Sequence, residues 1–213
     1  MSTIDFEAWG NIVSEHLNEV PMPTMIDAVR EAAIEFCQRT KIWSEFVGGV
    51  NYVASLINIQ VPIISSGSYP YMVESVWVDG AKVQPADKAV LDLLFPEGWL
   101  DARGPATRFI CPRPDVLRLV PAPQSDFSGI KLEVIYQPTR NSIEVPMFLY
   151  ELYARTIGFK AIAILNGHEK SSYANPDRIA EFEGRFNEGV SWASHKQGTG
   201  FNRPHLQTAQ SRI

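Results

Sequence analysis

The spacing of apolar residues changes twice along this chain, near Gly48 and again near Thr139, and any fold must accommodate both changes. Before the first, Phe6, Trp9, Ile12, Val13 and Leu17 recur at helical spacing. After Pro21 and Pro23 the same period returns in Ile26, Val29, Ala33, Phe36 and Cys37, with Asp27, Glu31, Glu35 and Arg39 on the other faces. Thr24, with Asp27 three residues on, resembles a capping box, in which hydroxyl and carboxylate take up orphan backbone N–H groups. The first 46 residues therefore predict two helices.

Between the changes, β-branched and aromatic residues take over. Gly48-Gly49 reads as a break, and Leu56 to Val61 alternates up to Pro62 as a half-buried strand does. Ser65 to Ser68 is a turn or loop. Tyr71 to Val78 leads into Asp79-Gly80, the pair favoured in a two-residue hairpin because both positions take positive φ, and Ala81-Lys82-Val83 returns antiparallel. Arg108–Cys111, Val116–Val120 and Lys131–Tyr136 supply three more strands. Pro62, Pro112, Pro121 and Pro138 end strands cleanly, since proline lacks the ladder N–H. Residues 85–105 interrupt with a helical turn from Asp87 to Phe95 and a loop around Trp99.

After Pro146 the helical period returns. Met147 to Asn166 is apolar around most of its circumference towards its end, as suits a helix packed among others, and Gly167 stops it. Asn175 is an N-cap with Pro176 at the first helical position, and Ile179, Phe182, Phe186, Val190 and Ala193 stripe the last helix. Beyond Lys196 the glycines, proline and polar residues predict an extended tail. These periods predict an α+β fold: a helical bundle built from the N- and C-terminal helices, with an inserted small antiparallel β domain and an extended C-terminal tail. The expected divisions are 1–47 and 141–196 for the bundle, 48–140 for the β-rich insertion and 197–213 for the tail.

Composition narrows the function classes. The 213 residues carry 19 Lys and Arg against 24 Asp and Glu, a net charge of −5, which disfavours a general duplex-DNA binder. Residues 189–213 hold Lys196, Arg203 and Arg212 and no acid, so the rest of the chain carries the whole acidic excess. With 45% apolar residues, disorder is excluded as a general state. Two cysteines are too few for a disulfide scaffold and suggest a reducing compartment. No signal peptide or membrane-spanning stretch is visible, so a soluble protein made in a cytoplasm is expected.

No catalytic, cofactor or metal constellation emerges. His16, His168, His195 and His205 lack a second ligand at zinc-type spacing, and His168-Glu169 reads as a solvated helix end. Cys37 lies on the apolar face of its helix and Cys111 at a strand end, neither beside a group that would activate it. Carboxylate pairs such as Asp87 with Asp92, or Glu181 with Glu183, read as solvated surface. Phosphate-binding loops and nucleophile elbows are missing, so a non-enzymatic role without cofactor is expected. Five Trp, eleven Phe and seven Tyr are a large aromatic load, some of it expected at subunit interfaces rather than in the core. The tail is the sharper candidate: Lys196, Phe201, Arg203, His205, Leu206, Arg212 and Ile213 form a basic, sparsely apolar segment suited to ordering on another protein.

In their order these segments resemble one known family. Asp27-Ala-Val-Arg-Glu-Ala-Ala-Ile-Glu-Phe-Cys-Gln-Arg-Thr40 followed by Trp43 resembles the second helix of the head-to-tail adaptor (connector, tail-tubular type) proteins of tailed bacteriophages. Val78-Asp79-Gly80, Leu119-Val-Pro-Ala-Pro123 and Val134-Ile-Tyr-Gln-Pro138 resemble their inserted β region. Pro146-Met-Phe-Leu-Tyr-Glu-Leu-Tyr153, Asn175-Pro176 and Phe186-Asn-Glu-Gly189 resemble their two C-terminal helices, so the likeness runs over about residues 5–195. It departs at residues 56–70, where the usual leucine-proline strand ending reads Val61-Pro62. The resemblance implies a virion protein of the neck, assembled in the host cytoplasm as a ring, usually of twelve copies, below the portal. Such a ring extends the DNA channel and docks the tail, nozzle or tail-tube protein, and the C-terminal tail reaches the portal. Double-stranded DNA would pass without sequence-specific binding, past a lumen of net negative or mixed character drawn from the first 50 residues, which hold 8 acids and 3 bases. The other readings are a neck or tail ring that does not touch the portal, an enzyme with a scattered site, and a nucleic-acid-binding module.

Overall fold

The computed structural model describes residues 2–54, 56–168 and 171–200. Strands β2 (Ser44–Tyr52), β3 (Asn58–Gln60), β4 (Ser68–Val78), β5 (Ala81–Pro85), β6 (Arg108–Arg113), β7 (Val116–Val120) and β8 (Phe127–Pro138) form one seven-stranded sheet. Their order is β2-β8-β4-β5-β6-β7-β3, and the sheet curls into a nearly closed, barrel-like form. Helices α1 (Gly10–Ser14), α2 (Met22–Thr40), α4 (Met147–Asn166) and α5 (Ile179–Thr199) pack on one another, and α2 also packs on β8. A short helix, α3 (Lys88–Leu94), follows β5. Strands β1 (Thr3–Asp5) and β9 (Glu144–Pro146) pair antiparallel and tie the N-terminal segment to the start of α4.

The expected bundle with a small antiparallel insertion does not form. The sheet is a full partner of the helices, and one continuous core runs from Phe6 and Trp9 through Phe36 and Tyr136 to Leu117 and Ile59. The physical reason lies in β8. It is twelve residues long and flanked on both sides, and Ile130, Leu132, Val134 and Tyr136 at alternate positions are fully buried in that core. Apolar area removed from water stabilises by about 25 cal/mol per Å², so a helical layer and a sheet that share a face each gain more than two separate small cores would. The sheet is also mixed rather than antiparallel: β5 and β6 run parallel, with Gln84 opposite Arg108 and Pro85 opposite Phe109. Parallel neighbours need a crossover, and α3 with its flanking loops supplies it.

Local departures have local causes. Gly48-Gly49 does not break the chain but lies inside β2, where the register against β8 shifts between Val47 and Val50 and Gly49 takes φ +73°. That is a bulge, which glycine accommodates without strain. The strand expected over Leu56–Val61 shortens to Asn58–Gln60, an edge strand paired only with β7. Pro112 does not end β6, which runs to Arg113; it falls at a register shift where β7 is the remaining partner. The first expected helix resolves into β1, a 3-10 turn at Phe6–Trp9 and the short α1. Helix α2 starts at Met22 with Pro21 as N-cap, so Thr24 and Asp27 form no capping box; Asp27 pairs instead with Arg30 at 2.6 Å. The hairpin at Asp79-Gly80 forms as the sequence predicts, with φ +50° and +80° and Val78 opposite Ala81.

Helix α4 is the axis of the helical layer. Leu149, Tyr153, Ile157, Ala161, Ile162 and Leu165 are buried on several of its faces. Helix α5 approaches it so closely that a Cβ on Gly189 would collide with the Thr156 side chain. Buried Asn166 fastens the α4 end: its Nδ2 donates to the Ile162 carbonyl at 3.0 Å and its Oδ1 accepts from Asn175 N at 3.0 Å. Asn175 in turn accepts from Asp177 N, capping the 3-10 turn at Pro176–Arg178 that leads into α5.

Candidate functional site

The titratable groups with defined partners serve the fold. Lys160 on α4 bridges Glu35 of α2 at 2.9 Å and Glu183 of α5 at 2.6 Å, so one ammonium ties three helices. Burial pulls its pKa down, but the hydrogen bonds to Glu183 and Glu35 outweigh that, and the net direction is up. Arg39 adds to the same seam, bonding Glu35 and Asn187 and lying 5.2 Å over the Phe186 ring. Burial drives the Cys37 thiol far above its ordinary value and Cys111 up to about 11, which keeps both protonated and poorly nucleophilic at neutral pH. His16 packs edge-on against Phe182, and His168 Nδ1 lies 3.2 Å from the Tyr173 hydroxyl. Among the described residues, no group of three or more His, Cys, Asp or Glu is placed to hold a metal ion.

Of the candidate tail residues, only Lys196 falls within the described part of the chain. It belongs to helix α5, which continues to Thr199 and is capped by Gly200 at φ +69°, so residues 197–199 are helical and not extended as expected. The Lys196 Nζ lies 5.9 Å over Trp192, which is half exposed and edge-on to Tyr153. Phe201, Arg203, His205, Leu206, Arg212 and Ile213 lie outside the described residues.

What the structure adds is a set of large apolar side chains held outward from a core that is already closed. Phe46 on β2 is 72% exposed and pairs with Trp77 of β4 at 5.9 Å between ring centroids. The two rings line an apolar surface cavity of about 510 Å³ together with Val47, Gly48, Gly80 and Lys131. Lys82 Nζ sits 5.4 Å over Trp77. A second region is α3, where Leu93 is 82% exposed and Val90 and Leu94 also face solvent. Only Leu91 turns inward, into a small satellite core with Ile110, Val120, Ala86, Phe95 and Trp99. Two bonds fix this knob: Asp87 accepts from Val90 N at 2.8 Å, and the Trp99 indole donates to Asp92 at 2.9 Å. Scattered exposed apolar residues are ordinary, but clusters mark surfaces that meet a partner.

The sequence reading did not single out Phe46, Trp77 or Leu93. The aromatic count raised the general expectation of interface aromatics, yet only the register of β2 against β8 puts Phe46 outside. For α3 a signal was present: Val90, Leu91, Leu93 and Leu94 are four large apolar residues in a seven-residue helix with one inward side chain. Compared with family models and with curated proteins, the chain finds no match in either set.

Proposed function

We propose that this chain is a structural ring subunit of a tailed-phage virion neck, a head-to-tail adaptor that sits below the portal, extends the DNA channel and docks the tail. The observation that carries the reading is the outward display of Phe46, Leu93 and Leu94, with half-buried Trp77 beside Phe46, from a chain whose core is already continuous. A subunit that packs between identical neighbours needs a stiff body and apolar surface left over, because a ring closes only when the rotation per copy is held constant. The ordered likeness of residues 5–195 to adaptor segments supplies the rest of the case. A structural role agrees with thiols that burial keeps protonated and with carboxylates engaged in helix-tying ion pairs.

In this reading the exposed acids Glu7, Glu15, Glu19 and Glu31 contribute to a channel surface that does not retain phosphates. The basic C-terminal segment engages the portal. Electron microscopy of the protein mixed with portal rings tests the proposal, with ring density of several copies below the portal as the expected result. Removing residues 201–213, a cut placed after the α5 cap, should abolish portal binding while leaving the circular dichroism spectrum intact. Unchanged portal binding by that truncated chain overturns the docking role of the segment, and absence of portal binding by the whole chain overturns the adaptor reading.

A further inference from the structure

Resting on the adaptor reading, we infer that the C-terminal segment, until a portal takes it, is held against its own helical layer, Leu206 covering a patch formed by Trp192 and Leu152. Those two side chains are 51% and 49% exposed. They lie on the seam where α4 and α5 run antiparallel, with Thr156 packed against Gly189 and the Tyr153 ring edge-on to Trp192. Leu152 comes about one turn before Thr156 and Trp192 about one turn after Gly189, so the two stand level on that seam.

Reach selects the occupant. Helix α5 ends at Gly200, whose N–H donates to the Lys196 carbonyl at 2.8 Å and whose φ of +69° turns the chain off the helix axis. Trp192 is eight residues back, about 12 Å along that axis. Leu206 is six residues on, a stretch that spans up to about 20 Å when extended. Residues 206–211 carry no charge and no proline, so they suit an apolar seam. Charge does not select, because Glu151 and Glu188 around the patch are matched by Arg155 and Lys196. The tether favours this segment over a second copy: a short link holds Leu206 near the patch at an effective concentration of about millimolar, above that of free chains at micromolar protein. Portal engagement withdraws the segment, so copies on a portal present apolar surface that free copies do not.

Quenching and cross-linking test this together. Acrylamide quenching of Trp192, taken as the difference between chains with and without Trp192→Phe, should rise about twofold when residues 201–213 are removed, since the uncovered ring is half exposed. Leu206→Asp should raise it as far, while Ser211→Asp, the same charge change off the contact, should leave it unchanged. Gly200→Ile keeps every residue of the segment but is strained at the positive φ of the cap, and it too should expose Trp192. In a Cys111→Ser background, Glu188→Cys with Gln207→Cys should form an intrachain product with a short bismaleimide, at a rate unchanged by dilution. Portal rings should lower that yield. Equal quenching of Trp192 in whole and truncated chains overturns the inference. So do cross-links that form only between chains, or a yield that bound portal leaves unchanged. If the portal is bound by chains whose Trp192 is uncovered beforehand, this contact is wrong while the adaptor reading stands. If dilution-independent cross-links form in a chain that ignores the portal, the contact stands and the adaptor reading falls.

Discussion

Helices α3 and α4 use much the same apolar residues for opposite ends. In α4, Leu149, Ile157, Ile162 and Leu165 are fully buried between α2, α5 and the N-terminal segment. In α3, Leu91 alone is buried, and Leu93, two positions on, is 82% exposed. Burying a leucine or isoleucine side chain stabilises by about 1.5–3 kcal/mol, so α4 supplies folding free energy that α3 leaves unused within the single chain. The comparison teaches that an apolar helix is not by itself a core helix. What decides is whether the rest of the chain brings a surface to meet it.

The largest expected effect comes from the α4 side. Ile157→Ala should cost about 2–5 kcal/mol, the usual range for an isoleucine truncated in a packed interior. Because the core is continuous, near-ultraviolet and far-ultraviolet circular dichroism should report one coincident unfolding transition. Two separated transitions would show that helices and sheet fold apart. Next, Gly189→Ala should cost about 1–3 kcal/mol by forcing Thr156 away from α5, and Thr156→Ala in the same chain should return most of it in a denaturant titration.

A smaller effect is pH-dependent. The native Cys37 thiol stays protonated well above its ordinary value, while the unfolded thiol ionises from about pH 8.5. Stability should therefore be whole below that point and fall as pH rises beyond it. Tyr136, raised to about 12 mainly by burial and then by Glu45, extends the fall from about pH 10, where an unfolded tyrosine ionises. Cys37→Ala should flatten the first part of that decline and Tyr136→Phe the second, measured as melting temperature against pH. Tyr136→Phe should also lower stability at every pH, since the hydroxyl donates to the Pro62 carbonyl at 2.7 Å. The smallest effect belongs to α3. Leu93→Asp should change the unfolding free energy of the isolated chain by no more than about 0.5 kcal/mol, while changing its self-association strongly. A large loss of stability would mean that Leu93 is already covered within its own chain.

Much of the local structure was legible. The Asp79-Gly80 hairpin, the Asn175 cap before Pro176, the stop of α4 at Gly167 and the short helix capped by Asp87 all follow from neighbouring residues. Strand β2 was not legible, because a glycine pair reads as an interruption unless a partner strand is present to form a bulge against. Helix α5 runs three residues past Lys196 because Gly198 does not break a helix already propagating from Ile179. The surface cavity was illegible for a related reason: Phe46 and Trp77 are thirty-one positions apart in sequence, and β8 lies between their strands.

The sequence by itself determined where the backbone turns, caps and changes period, because those are settled by φ preferences and hydrogen bonds among residues a few positions apart. Only the tertiary structure decided that helices and sheet share one interior and that Leu91 points in while Leu93 points out. Such outcomes rest on pairings like Ser44 with Ile135 and Phe46 with Glu133, formed between segments far apart along the chain. The stabilisation in those contacts comes from area removed from water, which no local pattern specifies until both partners are in place.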